Sequence, residues 1–216
     1  SVSVPPPGGS SSSYTFLTTN ADGTPVRFDP CTPVHYVTNL AGGPPNALSL
    51  VQSALGQLSQ ATQVTFVDDG PTTEVPSSNR AAYQPGRYPG GWAPVLIAWS
   101  TPSASSLLPS GGSVIGEGGS SWVQAPGQDE VYVTGEAVIN ADDTTTLAAD
   151  YGAGSTLGEL LLHELGHVVG LGHTADANQV MYPVEHPLGA AAYQAGDLAG
   201  LGRLGRGAGC VITPAP

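Results

Sequence analysis

His163-Glu-Leu-Gly-His-Val-Val-Gly-Leu-Gly-His173, followed eight residues later by Met181 in Val180-Met181-Tyr182-Pro183, is the stretch from which the rest of the chain is read. Leu157, Leu160, Leu161, Leu162, Leu165, Val168 and Val169 predict a largely buried helix over 156–169. His163 and His167 are four apart, so they stand one turn above each other and can offer two imidazole nitrogens to one ion. Glu164 lies about 100° of helical rotation after His163, which points it beside that ion. A glycine at 170 can take the left-handed conformation that ends the helix, and His173 can then swing back as a third ligand. Three protein ligands with a fourth position left for water is the pattern of a hydrolytic zinc site. The chemistry expected is a zinc that lowers the pKa of its water to about 7 and polarises a carbonyl, with Glu164 taking the proton and passing it to the leaving amine.

This order of residues, H-E-x-x-H-x-x-G-x-x-H with a later methionine turn, resembles the metzincin clan of zinc metalloproteases. Met181-Tyr182-Pro183 is most similar to its matrixin branch, the matrix metalloproteinases and secreted bacterial relatives. The resemblance implies one catalytic Zn2+ held by His163, His167 and His173, Glu164 as general base, and Met181 as an apolar floor, with Gly170, Tyr182 and Pro183 supporting the site. It also implies an α/β (α+β) fold: a twisted mixed five-stranded sheet with one antiparallel edge strand, two long helices, and a C-terminal helix after the methionine turn. Lone histidines in a leucine-rich helix are usually satisfied core residues. Here three of the chain's five fall at ligand spacing with a carboxylate beside the first.

The 216 residues suit a single domain with tails, read as a Pro/Gly/Ser-rich linker over 1–13 with no means of packing, then one catalytic domain over 14–216. Five arginines, no lysine and 17 acidic residues give a net charge of −12, which offers no electrostatic case for nucleic acid or an anionic membrane. No apolar run reaches 18 residues. The expected partners are protein or peptide substrates, and the expected state is a monomer. The opening Ser-Val-Ser-Val-Pro is not a signal peptide, so the expectation is a mature, secreted, extracellular product whose export signal is gone. Cys31 and Cys210 in an exported protein most simply form one disulfide; two free thiols is the other reading. A latent-form cap of the zinc by Cys31 is discounted, because Asp29-Pro-Cys-Thr-Pro33 lacks the matrixin switch sequence.

Along the chain, strands are predicted at 34–39, 64–67, 95–99, 113–123 and 131–140, with Asp68-Asp69-Gly70-Pro71 closing the second. Asn46 is expected to cap a helix over 47–61 with Leu48, Val51, Leu55 and Leu58 inward. Residues from 71 to Pro94 read as a long surface loop. By resemblance, 113–123 is the unpaired edge that lets an extended substrate join the sheet, although Gly116, Gly118 and Gly119 weaken a strand there. A final helix is read over 194–204. Its Asp197 corresponds by resemblance to an acid that pairs with a freed amino terminus, and a first-turn carboxylate also complements the helix dipole.

Glu159 carries two readings: a capping box with Thr156, and, by resemblance, the base of the pocket for the side chain after the cut bond, where an acid favours Lys or Arg. Matrixins usually have a tyrosine two residues after the proline of the methionine turn; this chain has Pro183-Val184-Glu185, and Glu185 as a third zinc ligand is a weaker alternative to His173. His35 is read as a strand residue and His186 as a loop residue near the cleft. Asp68-Asp69 and Asp142-Asp143 are oxygen-rich turns that make Ca2+ a candidate second ion, although paired aspartates more often form turns. The competing functional class is a secreted, non-proteolytic zinc-containing binding module.

Overall fold

The computed structural model describes residues 6–111, 113–184 and 189–216. In chain order it contains β1 (Thr15–Phe16), β2 (Val34–Asn39), α1 (Ala47–Thr62), β3 (Phe66–Pro71), β4 (Val95–Ser100), β5 (Gly116–Gln124), β6 (Glu130–Asn140), α2 (Leu157–Val169), β7 (Leu171–Gly172) and α3 (Ala195–Leu204). Five strands form one sheet in the order β3-β2-β4-β6-β5, and β1 and β7 make a separate two-stranded pair. The pairings β3-β2, β2-β4 and β4-β6 are parallel; β5 alone runs antiparallel, against β6, and is an edge. The expected five-stranded mixed sheet with an antiparallel edge is therefore present.

The sheet's centre follows from its sequence. Val95-Leu-Ile-Ala-Trp-Ser of β4 is buried at every position, as a strand covered on both faces must be. Ile97 and Trp99 face α1 and α2 in the main core, whereas Leu96 and Ala98 form a smaller cluster on the far face with Val37 and Tyr88. That far face is covered by the segment between β3 and β4. Although expected to be a surface loop, this segment is pinned by Arg80, whose five N–H groups are all used. They reach both oxygens of Glu74 (3.0 Å each), Pro94 O (2.8 Å), Thr134 Oγ1 (2.7 Å) and Gly135 O (3.2 Å).

Four local expectations need correction. In α1 the buried stripe is Ala47, Leu50, Val51, Ala54, Leu55 and Leu58, and Leu48 is 42% exposed, so the apolar face is turned by half a residue step from the one anticipated. Asn46 precedes α1 but its side chain makes no cap; its Nδ2 donates to Ala149 O (2.9 Å). The strand β3 starts two residues later than expected and runs through Asp68 and Asp69, because edge pairing with β2 continues past them. Finally, residues 8–13 pack: Gly8 N–H donates to Gln194 Oε1 (2.6 Å) and Gly8 O accepts from Ala195 N–H (3.1 Å). The termini of the core are joined by a Cys31–Cys210 disulfide, with Cα atoms 5.5 Å apart.

Candidate metal centre

Helix α2 is stopped as its glycine predicts. Gly170 has φ 119°, in the left-handed region, and its N–H reaches back to Gly166 O and His167 O. The chain then passes through β7 and returns His173 to the helix face. The three Nε2 atoms converge: His163 to His167 is 3.1 Å, His167 to His173 is 3.1 Å, and His163 to His173 is 3.2 Å.

The tautomers of two rings are set by their other nitrogens. His163 Nδ1–H donates to Val180 O (2.7 Å) and His167 Nδ1–H to Leu171 O (2.8 Å), so each Nε2 presents a lone pair to the other. Burial lowers the His163 and His167 pKa to about 4, with neighbouring imidazoles adding to the effect, and burial also lowers that of His173. Neutral nitrogens facing one another repel unless a Lewis acid lies between them. Zinc with Zn–N distances of about 2.0–2.1 Å in a tetrahedron places its ligand nitrogens about 3.3 Å apart, so the residues present fit that ion. Among the described residues one other group of three ligand atoms gathers, Asp29, Cys31 and Cys210, and its sulfurs are bonded to each other.

Glu164 is 4% exposed and lines the same cavity as the three histidines, about 310 Å³ in volume. Burial, with the charge of Glu117 adding to it, pushes its carboxyl up to about 8. Two glycines make room for it. A Cβ at Gly116 would come within 2.7 Å of Glu164 Oε1, and one at Gly118 would collide with the Glu164 carbonyl. The glycines that seemed to weaken β5 are thus what lets the edge strand lie directly against the site.

The methionine turn sits beneath. Met181 is 2% exposed, and a Cβ at Gly166 would meet its Sδ at 2.5 Å, so sulfur and helix are in close contact between the first two histidines. Tyr182 and Pro183 line the cavity, as does Glu159, which is 3% exposed. The Glu159 N–H donates to Thr156 Oγ1 (3.1 Å), which is the Thr156 half of the expected capping box.

The family model for matrixin matches residues 119–204, from β5 to the end of α3. Over that part of the chain the match supports a matrixin-like metzincin catalytic domain. No curated protein matches it. For this matrixin-like domain the family carries a zinc metallopeptidase type of function, and the three histidines are the group that could hold the metal.

The remaining candidates fall elsewhere. His35 lies in β2, as expected, with Nδ1 2.8 Å from Asp69 on β3. Asp142 and Asp143 follow β6, where Asn140 Nδ2 donates to Asp143 Oδ2 (2.8 Å); neither aspartate pair joins a group of three His, Cys, Asp or Glu ligand atoms among the described residues. Glu185 and His186 lie outside the described residues. Asp197 does more than complement a dipole. Fully buried, it accepts from Val180 N–H (2.8 Å), Met181 N–H (3.2 Å) and Gln194 N–H (2.9 Å), tying the methionine turn to α3. Sequence reasoning missed Gln179, Thr15 and the two carbonyls that orient the rings, since a main-chain acceptor leaves no mark in residue identity.

Proposed function

We propose that this domain is a secreted zinc endopeptidase that cuts extended segments of proteins, with His163, His167 and His173 as the metal ligands. The observation that carries the reading is a buried carboxylate, Glu164, on the same cavity as three neutral Nε2 atoms within 3.2 Å of one another. Zinc held by those nitrogens supplies Lewis-acid polarisation of a substrate carbonyl and activation of water. Glu164 takes a proton from the attacking water and returns it to the departing amine, a role for which its position one residue after a ligand suits it. The free edge of β5 receives the substrate backbone as an added strand, straightening it across the cavity. Glu159 lies on the cavity wall and favours a basic side chain just after the cut bond.

Digestion of casein by the wild type, by Glu164→Ala and by the wild type with a chelator tests this. Cleavage by the wild type alone, with loss of at least about 10²-fold in the variant, is the expected result. Cleavage that survives both treatments would overturn it. Zinc uptake by a wild type that cuts nothing would favour the non-proteolytic binding module.

A further inference from the structure

The three imidazoles are not held in the same way. His163 and His167 each have a ring nitrogen anchored to a carbonyl, and both belong to a rigid helix. His173 is the exposed member of the three, lies beyond the helix, and its Nδ1 has no hydrogen bond among the described residues. Its placement therefore depends on the main chain that carries it.

That main chain is backed by the N-terminal segment. β1 pairs antiparallel with β7, Thr15 opposite Gly172 and Phe16 opposite Leu171. Leu17 N–H donates to Gly170 O (2.9 Å), and the Thr15 hydroxyl donates to the carbonyl of His173 itself (2.7 Å). Every residue from the helix stop to the third histidine is thus met by 15–17. Upstream, Ser10 N–H donates to Asp176 Oδ2 (3.2 Å), and Gln179 Nε2 donates to Asp176 Oδ2 (3.1 Å) and Gly8 O (3.4 Å). The same Gln179, wholly buried, accepts from Gly196 N–H (2.7 Å) and Asp197 N–H (3.1 Å). The segment crosses the loop from His173 to the methionine turn and fastens it at both ends.

We propose that residues 8–17 are a clamp on the third ligand and that Thr15 is a positioning residue for His173, so that release of this segment weakens retention of the metal. The inference rests on the reading of His163, His167 and His173 as a zinc set. The clamp works through internal backbone groups and a hydroxyl, and Asp197 is already engaged by three N–H donors, so no free amino terminus is needed for it.

Two variants test it in the full-length protein. Thr15→Val removes the hydroxyl and keeps a β-branched side chain suited to the strand. Gly9→Ala acts far from the ligands: Gly9 has φ +75° and its Cβ would collide with Gln179 and sit 2.8 Å from Asp176 Oδ2, so alanine should lift the segment. Zinc affinity is read by competition with a chromogenic chelator, alongside the urea midpoint of the zinc-free proteins. Both variants are expected to bind zinc about tenfold more weakly, the size of effect outer partners of a ligand have on metal affinity. Thr15→Ser should restore wild-type affinity, and Thr24→Val, which removes a hydroxyl from the surface turn at Asp22, should leave it unchanged. Wild-type affinity in both Thr15→Val and Gly9→Ala, or a loss that only follows a fall in the zinc-free midpoint, overturns the clamp and leaves the peptidase reading standing. A wild type that binds no zinc overturns that reading and the clamp with it.

Discussion

Glu159 stands at once at a helix start and on the wall of the cavity. Its backbone N–H satisfies the helix start through Thr156 Oγ1, while its side chain, almost fully enclosed, reaches the cavity that holds the histidines. The cap and the pocket were alternatives only while the residue was treated as a unit. With the capping contact made by the main chain, a side-chain substitution separates them. Glu159→Gln keeps size and the N–H bond and removes the charge, so the helix should be retained. For peptides with Lys or Arg after the cut bond, kcat/KM should fall about tenfold relative to Leu peptides, the order expected when one charge-assisted hydrogen bond is lost. An unchanged ratio between basic and leucine peptides would remove Glu159 from the pocket.

The edge strand β5 and helix α2 form the pair of elements on which the candidate metal centre is built. Contact between them depends on glycines that differ sharply in surroundings: a Cβ at Gly118 would enter the Glu164 backbone, whereas one at Gly119 meets nothing within 4 Å. Gly118→Ala should therefore cost about 1–3 kcal/mol in urea unfolding, as overpacking does, and lower kcat by moving the strand off Glu164. Gly119→Ala should be close to neutral; equal effects at both positions would refute the packing argument. These elements also show what the sequence made legible. The period of α2 and its glycine stop are local features of one largely buried segment, and they were readable to within a residue. The face of α1 was harder, because Leu48 and Leu50 both satisfy a helical repeat and only the packed sheet selects between them. Asp68 and Asp69 look like a turn in isolation, yet Asp68 pairs with Tyr36 of β2 and the pairing resumes at Pro71 after an irregularity. Arg80 and Thr15 act across the fold on main-chain carbonyls, which no residue pattern announces.

At the scale of the molecule, two cross-links hold regions distant in sequence. The Cys31–Cys210 bridge spans 179 residues and is worth about 5 kcal/mol in the chain-entropy model. Arg27 reinforces it from beside the tail, donating to Gly209 O (2.8 Å) and Ala208 O (3.2 Å). The second cross-link runs from Arg80 to β6: paired with Glu74, their side chains only 4% and 9% exposed, Arg80 donates to Thr134 Oγ1 (2.7 Å) and Gly135 O (3.2 Å). Glu136 on β6 lies beside this pair and accepts from Ser77 N–H (3.0 Å). Burial raises its pKa from 4.5 to about 7, and Glu74 adds to the rise, against the opposing pull of Ser77 and Arg80. The folded protein therefore keeps a proton on Glu136 that the unfolded chain has released. The stability this group contributes is fully present below about pH 4.5 and is lost as pH rises through about 7. Glu74 works in the opposite sense, since its lowered pKa confers stability above 4.5 that is lost only at more acidic pH, so the two windows do not overlap. Glu136→Gln imitates the protonated side chain and still accepts from Ser77. Its urea midpoint should match the wild type at pH 5 and exceed it at pH 8, and an identical fall in both proteins between those pH values would show that Glu136 is not the group responsible.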